Sequence, residues 1–176
     1  MKKLLLAMAI LVLATPVFSA DAYVGLFADA AHSDCDVYLS GGFMPFNVWI
    51  WFIAPSVGVQ AAEYRVVPPA YVIVSTPTIN PDISVSLGDA LAGISVAFFG
   101  CQPGWVWTQN ITCYLTAAGP GYVRIEKRLD VPAIQIASCE LGNPIYPAAV
   151  LNHLAIGQGC QIATEESSWG AIKSLF

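Results

Sequence analysis

The strongest constraint in this chain is its rhythm. Short runs rich in β-branched and aromatic residues recur about every ten residues, each cut off by Gly, Pro or Asn. The runs are "AYVGLF", "CDVYLS", "FNVWIWFIA", "AEYRVV", "AYVIVST", "DISVSL", "AGISVAFFG", "WVWTQNITCYLTA", "YVRIEKRL" and "AIQIAS". Between them stand "SGG", "VPP", "INPD", "LGDALAG", "QPG" and "AGPG", whose residues suit tight turns. Runs of this length cannot make helices with a full apolar face, and their spacing predicts a single all-β sandwich over residues 23–163.

Patterning within the runs adds detail. In "YVRIEKRL", Val123 and Ile125 share one face, with Lys127 following in register, and Arg124, Glu126 and Arg128 share the other. "DISVSL" sets Ile83, Val85 and Leu87 against Ser84 and Ser86. "FNVWIWFI" is apolar on both faces: Phe46, Val48, Ile50 and Phe52 on one side, Trp49, Trp51 and Ile53 on the other. One set belongs to the core, and the second needs cover from a loop, a partner or a ligand. Over residues 141–162 the pattern weakens, and "AAVLNHLAIG" after Pro147 reads either as a helical turn or as an irregular return to the sheet.

The N-terminus reads as a secretory signal peptide over residues 1–22. Lys2 and Lys3 precede an apolar run at 4–14 too short to span a bilayer, and Pro16 breaks it. Cleavage fits after Ser19 or after Ala22, the second having the better small-x-small pattern. The remaining chain of about 150 residues is one domain with enough length for a core. The destination is periplasm, cell surface or medium, and no membrane span follows the leader. Only 11% of the sequence is charged, against about 25% in average soluble domains. A surface so poor in charge points to a protein partner, self-association or a polysaccharide matrix. The net charge of −5 and the lack of a basic patch argue against nucleic acid.

Five cysteines in an oxidising compartment imply disulfides with one left over. Cys139 and Cys160 bracket a Gly/Pro-rich segment and are expected to pair. Cys101 and Cys113 lie in neighbouring strand candidates and are expected to form the second bridge, leaving Cys35 unpaired or intermolecular. Zinc does not fit: there is no Cys-x-x-Cys, and His32 and His153 stand near no ligand pair. His32 and Cys35 in "AAHSDCD" invite a thiol–base reading, but the bland alternative is a polar loop holding a disulfide cysteine. Glu63, Glu126, Glu140, Asp82 and Asp89 are too scattered to suggest a glycosidase pair. No catalytic residues are assigned. Asp29, Asp34 and Asp36 are weak calcium candidates, lacking the order of a dedicated loop, and no other cofactor is expected.

Trp49 and Trp51 share one strand face, and Trp105 and Trp107 share another. Exposed, such pairs suit sugar rings or a protein partner, with Asn47, Gln109 and Asn110 adding hydrogen bonds; packed, they are core or interface. The sequon at Asn110 carries no weight behind a leader of bacterial type.

The stretch "AAEYRVVPPAYVIVSTPTINPDISVSLGDALAGISVAFFGCQ" places Ala62, Glu63, Tyr64, Arg65 and Val66 in a strand. Thr76, Pro77, Asn80 and Pro81 then form a turn, Leu87, Gly88, Leu91 and Gly93 a second turn, and a strand runs on to Cys101 and Gln102. With the opening "VGLFADAAHSDC" and the closing "EESSWGAIKSLF", this resembles uncharacterised secreted bacterial β-sandwich proteins ending in a Trp-Gly-x-Ile-Lys-x-Leu-Phe tail. That group is similar, more distantly, to cohesin-like and immunoglobulin-like surface domains. The resemblance implies an immunoglobulin-like or cohesin-like sandwich and supplies no catalytic residues. The chain departs from the group in its extra aromatics, Trp49, Trp51, Trp105 and Trp107. The expected function is a secreted or cell-surface, non-catalytic β-sandwich with a structural, adhesive or protein-binding role, self-association included. A carbohydrate-binding module built on the tryptophans is the alternative, and an unrecognised enzyme stands third.

The last segment, residues 164–176, does not alternate like a membrane strand. At helical spacing Trp169, Ile172 and Phe176 share one arc with Leu175 at its edge, behind a capping Ser167 or Ser168. It reads as a short amphipathic tail that must dock to be ordered, on its own domain, on a partner or on a sorting receptor.

Overall fold

The computed structural model describes residues 22–39, 42–54 and 57–160. The signal-peptide reading of residues 1–22 and the tail with Trp169, Ile172, Leu175 and Phe176 lie outside the described residues, apart from Ala22.

The described strands are β1 (Ala22–Phe27), β2 (Asp36–Val37), β3 (Pro45–Ile53), β4 (Val59–Val67), β5 (Val72–Val74), β6 (Thr78–Ile79), β7 (Ile83–Asp89), β8 (Gly93–Gln102), β9 (Trp105–Leu115), β10 (Gly121–Glu126), β11 (Gln135–Ser138), β12 (Ile145–Asn152) and β13 (Leu154–Ile156). No helix occurs among the described residues. Each of the ten runs read from the sequence contains one of these strands. The additional strands are β6, β12 and β13, and residues 145–156 resolve the ambiguity after Pro147 in favour of a return to the sheet.

One layer is ordered β5–β9–β3–β1–β12, with β6 also on β9. The other is ordered β7–β8–β4, and the far edge of β4 is shared by β11 and then β10. β12 joins the layers. Its first residues pair with β11, and Ala148 onward runs parallel to β1. The switch falls just after Pro147, whose ring offers no N–H to a ladder.

The core fills the space between the layers. Phe46, Val48, Ile50 and Phe52 of β3 are buried and face Val59, Ala62, Tyr64 and Val66 of β4. The Phe52 and Tyr64 rings meet at 5.4 Å. Val123 and Ile125 are buried in β10, and Arg124 and Glu126 point out, as the alternation requires.

The expected cysteine pairing is corrected. Cys101 bonds Cys139, Cys35 bonds Cys160, and Cys113 is the free thiol. Strand register gives the reason. Val59 pairs with Gln102 on one side and Ser138 on the other, so Cys101 and Cys139 flank Gly58 from opposite sides. A side chain at Gly58, whose φ is +108°, would run into the Cys101 sulfur, so the glycine makes room for the bridge. Cys35 precedes β2, which lies parallel to β13, and Cys160 follows β13 after a short turn. Cys113 points inward from β9 and is buried, out of reach of Cys101 at the exposed end of β8.

Candidate interaction face

The outer face of the β7–β8–β4–β11 layer is built by register. Val85 pairs with Ala97, Ala97 with Ala61, Ala61 with Ala137, and Ala137 with Ile145. Residues paired across neighbouring strands point to the same side of a sheet. The result is one straight row over five strands: three alanines as a low floor, with Val85 and Ile145 as rims. Val85 is 47% exposed and Ile145 65%. One step along the strands the row reads Leu87, Ser95, Glu63, Gln135, Pro147. Phe99 lies on the same face of β8, beyond Ala97, and is 78% exposed; Leu87 is 64% exposed. From Val85 to Ile145 is four interstrand spacings, about 19 Å.

A register shift after Ile83 leaves Ile83 packed on the core, while Val85 and Leu87 of "DISVSL" face solvent. β7 pairs only with β8 and forms the edge of its layer, and its residues after Ile83 are exposed.

Beyond the trough the face becomes polar. Ser95 Oγ donates to Glu63 Oε1 at 2.8 Å, and Arg128 donates to the Ser95 hydroxyl. Arg128 also pairs with Asp130 at 2.7 Å. Further along, Arg65 pairs with Glu126 at 2.5 Å and Arg124 reaches the same carboxylate at 3.4 Å. All Arg and Lys side chains of the described residues, Arg65, Arg124, Lys127 and Arg128, lie on β4, on β10 or just after it. The rest of this acidic domain carries none.

The tryptophans occupy the outer face of the opposite layer. Trp51 pairs with Trp107, and Trp49 stands opposite Asn110. They are half-buried against one another. The Trp49 and Trp107 rings meet at 5.0 Å with planes 76° apart, so they present no coplanar platform. His32, at φ +48°, folds from the β1–β2 loop over this face. Its ring stacks on Trp105 at 5.0 Å and meets Trp51 edge-on at 4.8 Å. The cover that "FNVWIWFI" demanded on its second face is thus a loop of the same chain.

His32 is committed to that aromatic stack, and Cys35 is held in a disulfide that leaves it no thiolate. Asp29, Asp34 and Asp36 hold their own loops. Asp29 accepts from the N–H and hydroxyl of Ser33 and from the Asp34 N–H. Asp34 accepts from the Asp36 N–H, and Asp36 from the Gly159 N–H. Burial pulls the Asp29 pKa upward, but the Ser33 and Asp34 hydrogen bonds outweigh it and leave it below the ordinary 3.8. Among the described residues no three His, Cys, Asp or Glu side chains gather as metal ligands would.

Sequence reasoning missed Ala61, Ala97, Ala137 and Ile145. The signal was present as Ala61 in "VQAAEY", Ala97 in "SVAFF" and Ala137 in "IQIAS", on the face opposite the buried neighbours Ala62, Val96 and Ile136, but it has meaning only once register aligns them.

No protein-family model matches the sequence, and no curated protein matches it. Solved structures match in fold. A non-cellulosomal cohesin from the hyperthermophilic archaeon Archaeoglobus fulgidus superposes with a TM-score of 0.55 at 10% identity, covering 84% of this chain and 96% of that one. The seventh ScaB type I cohesin from Pseudobacteroides cellulosolvens gives 0.51 at 16% identity, over 82% and 96% of the two chains. The third ScaB cohesin of R. flavefaciens, solved in complex with a group 1 dockerin, gives 0.53 at 8% identity, over 80% and 96%. Identities this low establish the fold alone: the chain has a cohesin-like β-sandwich.

Proposed function

We propose that this protein is an exported, non-catalytic protein-binding module that receives a helix of its partner in the alanine trough. The row Val85–Ala97–Ala61–Ala137–Ile145 carries this reading. An α-helix with its side chains is about 10–12 Å across and fits between rims about 19 Å apart. The alanine floor lets its side chains approach the sheet, and Val85, Leu87, Phe99 and Ile145 offer apolar contact that nothing among the described residues covers. The likeness to a cohesin solved with a dockerin supports a protein partner. Export is supported by the leader-like N-terminus and by two disulfides, which persist in oxidising compartments. Ala22 is buried at the start of β1 and pairs with Ala148, which favours the earlier cut, after Ser19.

The test is site-specific photocrosslinking in cells that make the protein natively. Benzoylphenylalanine at Ala97 is expected to trap one protein, through a segment with a helical apolar stripe. Ala137→Glu should abolish the adduct, and the same probe at Thr112 on the opposite layer should give none. An adduct from Thr112 alone, an adduct unmoved by Ala137→Glu, or no protein adduct at Ala97 sinks the reading. A crosslink between two copies of this chain replaces it with self-association.

A further inference from the structure

A cleft of about 320 Å³ opens at the far end of the same layer, between the β4–β5 loop and the start of β10. Its walls are Pro68, Pro69, Tyr71, Pro120, Tyr122 and Arg124. The walls are set before anything binds. Tyr71 donates its hydroxyl to the Gly119 carbonyl at 3.1 Å, and its own carbonyl accepts from the Thr116 N–H and hydroxyl. A side chain at Gly121 would collide with the Tyr71 hydroxyl, so this glycine lets the tyrosine wall close against β10. Prolines fix the backbone on both sides.

The charge at this cleft is not balanced. Arg65 and Arg124 share one carboxylate, Glu126, and Arg65 makes the shorter contact. Arg124 is left 54% exposed, with surplus positive charge in an otherwise acidic domain. The neighbouring His153 fits this: burial first, and then the Arg124 charge, hold its pKa below 6.5.

Strand register brings the end of the described chain to the same place. Gly121 pairs with Ile156 and Tyr122 with Ala155, and β2 lies on the other side of β13. The Cys35–Cys160 disulfide fastens the chain beside β2, two interstrand spacings, about 10 Å, from β10. Five and six residues beyond Cys160 come Glu165 and Glu166, followed by the apolar Trp169, Ile172, Leu175 and Phe176. Five extended residues reach at most about 17 Å, enough to bring the first glutamate to the cleft.

We infer that the cleft is the docking site of this chain's own C-terminal segment, with Glu165 or Glu166 on Arg124 and the following aromatic residue against the proline and tyrosine walls. The occupant follows from charge, reach and attachment. The segment is acidic where the cleft is basic, it is rooted beside the cleft by a disulfide, and its apolar residues match walls with few free polar groups. Arg124 shares Glu126 with Arg65 and stays half-exposed, so its planar guanidinium keeps donors open to a second carboxylate. The site is separate from the alanine trough: Ala61 and Val67 are six residues apart on β4, about 20 Å.

The experiment uses the full mature chain with benzoylphenylalanine at Tyr122. Irradiation should give an adduct between position 122 and a peptide from residues 161–176, within one chain and at a yield independent of protein concentration. Arg124→Gln should lower that yield at least about fivefold through loss of the charge-assisted contact, and Glu165→Gln with Glu166→Gln should do the same. Leu87→Glu, which tests the trough, should leave it unchanged. Amide resonances of β4 and β9 confirm that each variant is folded. No adduct with residues 161–176 overturns the inference, as does one that persists in Arg124→Gln. An adduct forming only between chains, rising with concentration, assigns the cleft to a second copy and overturns docking within one chain.

Discussion

The Tyr64 hydroxyl on β4 lies 2.7 Å from the Thr108 hydroxyl on β9, so a hydrogen bond crosses the sandwich core from one layer to the other. Both residues are fully buried. Tyr64 also reaches the buried Gln109 Oε1 at 3.2 Å, and Thr108 Oγ1 donates to the Ile50 carbonyl at 3.4 Å. Burial drives the Tyr64 pKa far above 10, so the phenol stays a neutral donor at every physiological pH. Tyr64→Phe keeps the ring against Phe52 but leaves Gln109 and Thr108 short of a partner in a dry interior. The expected cost is about 1–3 kcal/mol, read from urea denaturation. Thr108→Val should cost a similar amount, and the double variant less than the sum, because the two share one network.

Legibility from sequence ended where pairing began. Alternation in "YVRIEKRL" identified Val123 and Ile125 as core because a strand's period is fixed by its backbone. The two-faced "FNVWIWFI" likewise announced that its second face needed cover. Which loop supplies it could not be read, because His32 reaches Trp105 only through the fold, across more than seventy positions of sequence. "DISVSL" shows the same limit from the other side. Its apolar and polar residues alternate, but Val85 and Leu87 face solvent while Ile83 packs on the core, because a register shift between them breaks the simple alternation and an edge strand need not be covered. The trough depends on four independent registers and has no local signature.

The cysteines give a chemical check on those registers. Non-reducing peptide mapping should recover Cys35 joined to Cys160 and Cys101 joined to Cys139. Burial pushes the Cys113 thiol up to about 12, so it should resist alkylation near pH 8 and react only after unfolding. Removing the Cys35–Cys160 bridge, which closes a loop of 125 residues, should cost about 2–5 kcal/mol by denaturant titration. A Cys35 thiol reactive in the native protein would contradict the strand order at β2 and β13.

The tryptophan face makes a contrasting optical prediction. His32 covers Trp105, and Trp49 and Trp107 are nearly perpendicular, so soluble polysaccharides should leave tryptophan emission unshifted. His32→Ala should shift emission to the red by uncovering Trp105 and the edge of Trp51. A blue shift saturating with one polysaccharide in the parent protein would restore the carbohydrate reading of this face.

His153 ties stability to pH at the point where β10 meets β13. Its Nδ1 accepts from the Ile125 N–H at 3.3 Å, a bond that needs the neutral ring. Burial first, and the Arg124 charge second, lower its pKa from 6.5. With the folded value below the unfolded one, acid favours the unfolded chain, which takes up the proton that the fold resists. Stability from this residue is fully present above 6.5 and declines as pH falls from there toward the folded pKa. Asp29 acts in a separate window. Its lowered pKa makes its contribution complete above 3.8 and lost only as pH falls through the folded value. Thermal melts between about pH 5 and about pH 7.5 should therefore show a falling Tm toward acid in the parent. His153→Gln should flatten that slope and leave any loss below pH 3.8 in place. An equal slope in both proteins would show that His153 does not carry the mid-range pH dependence.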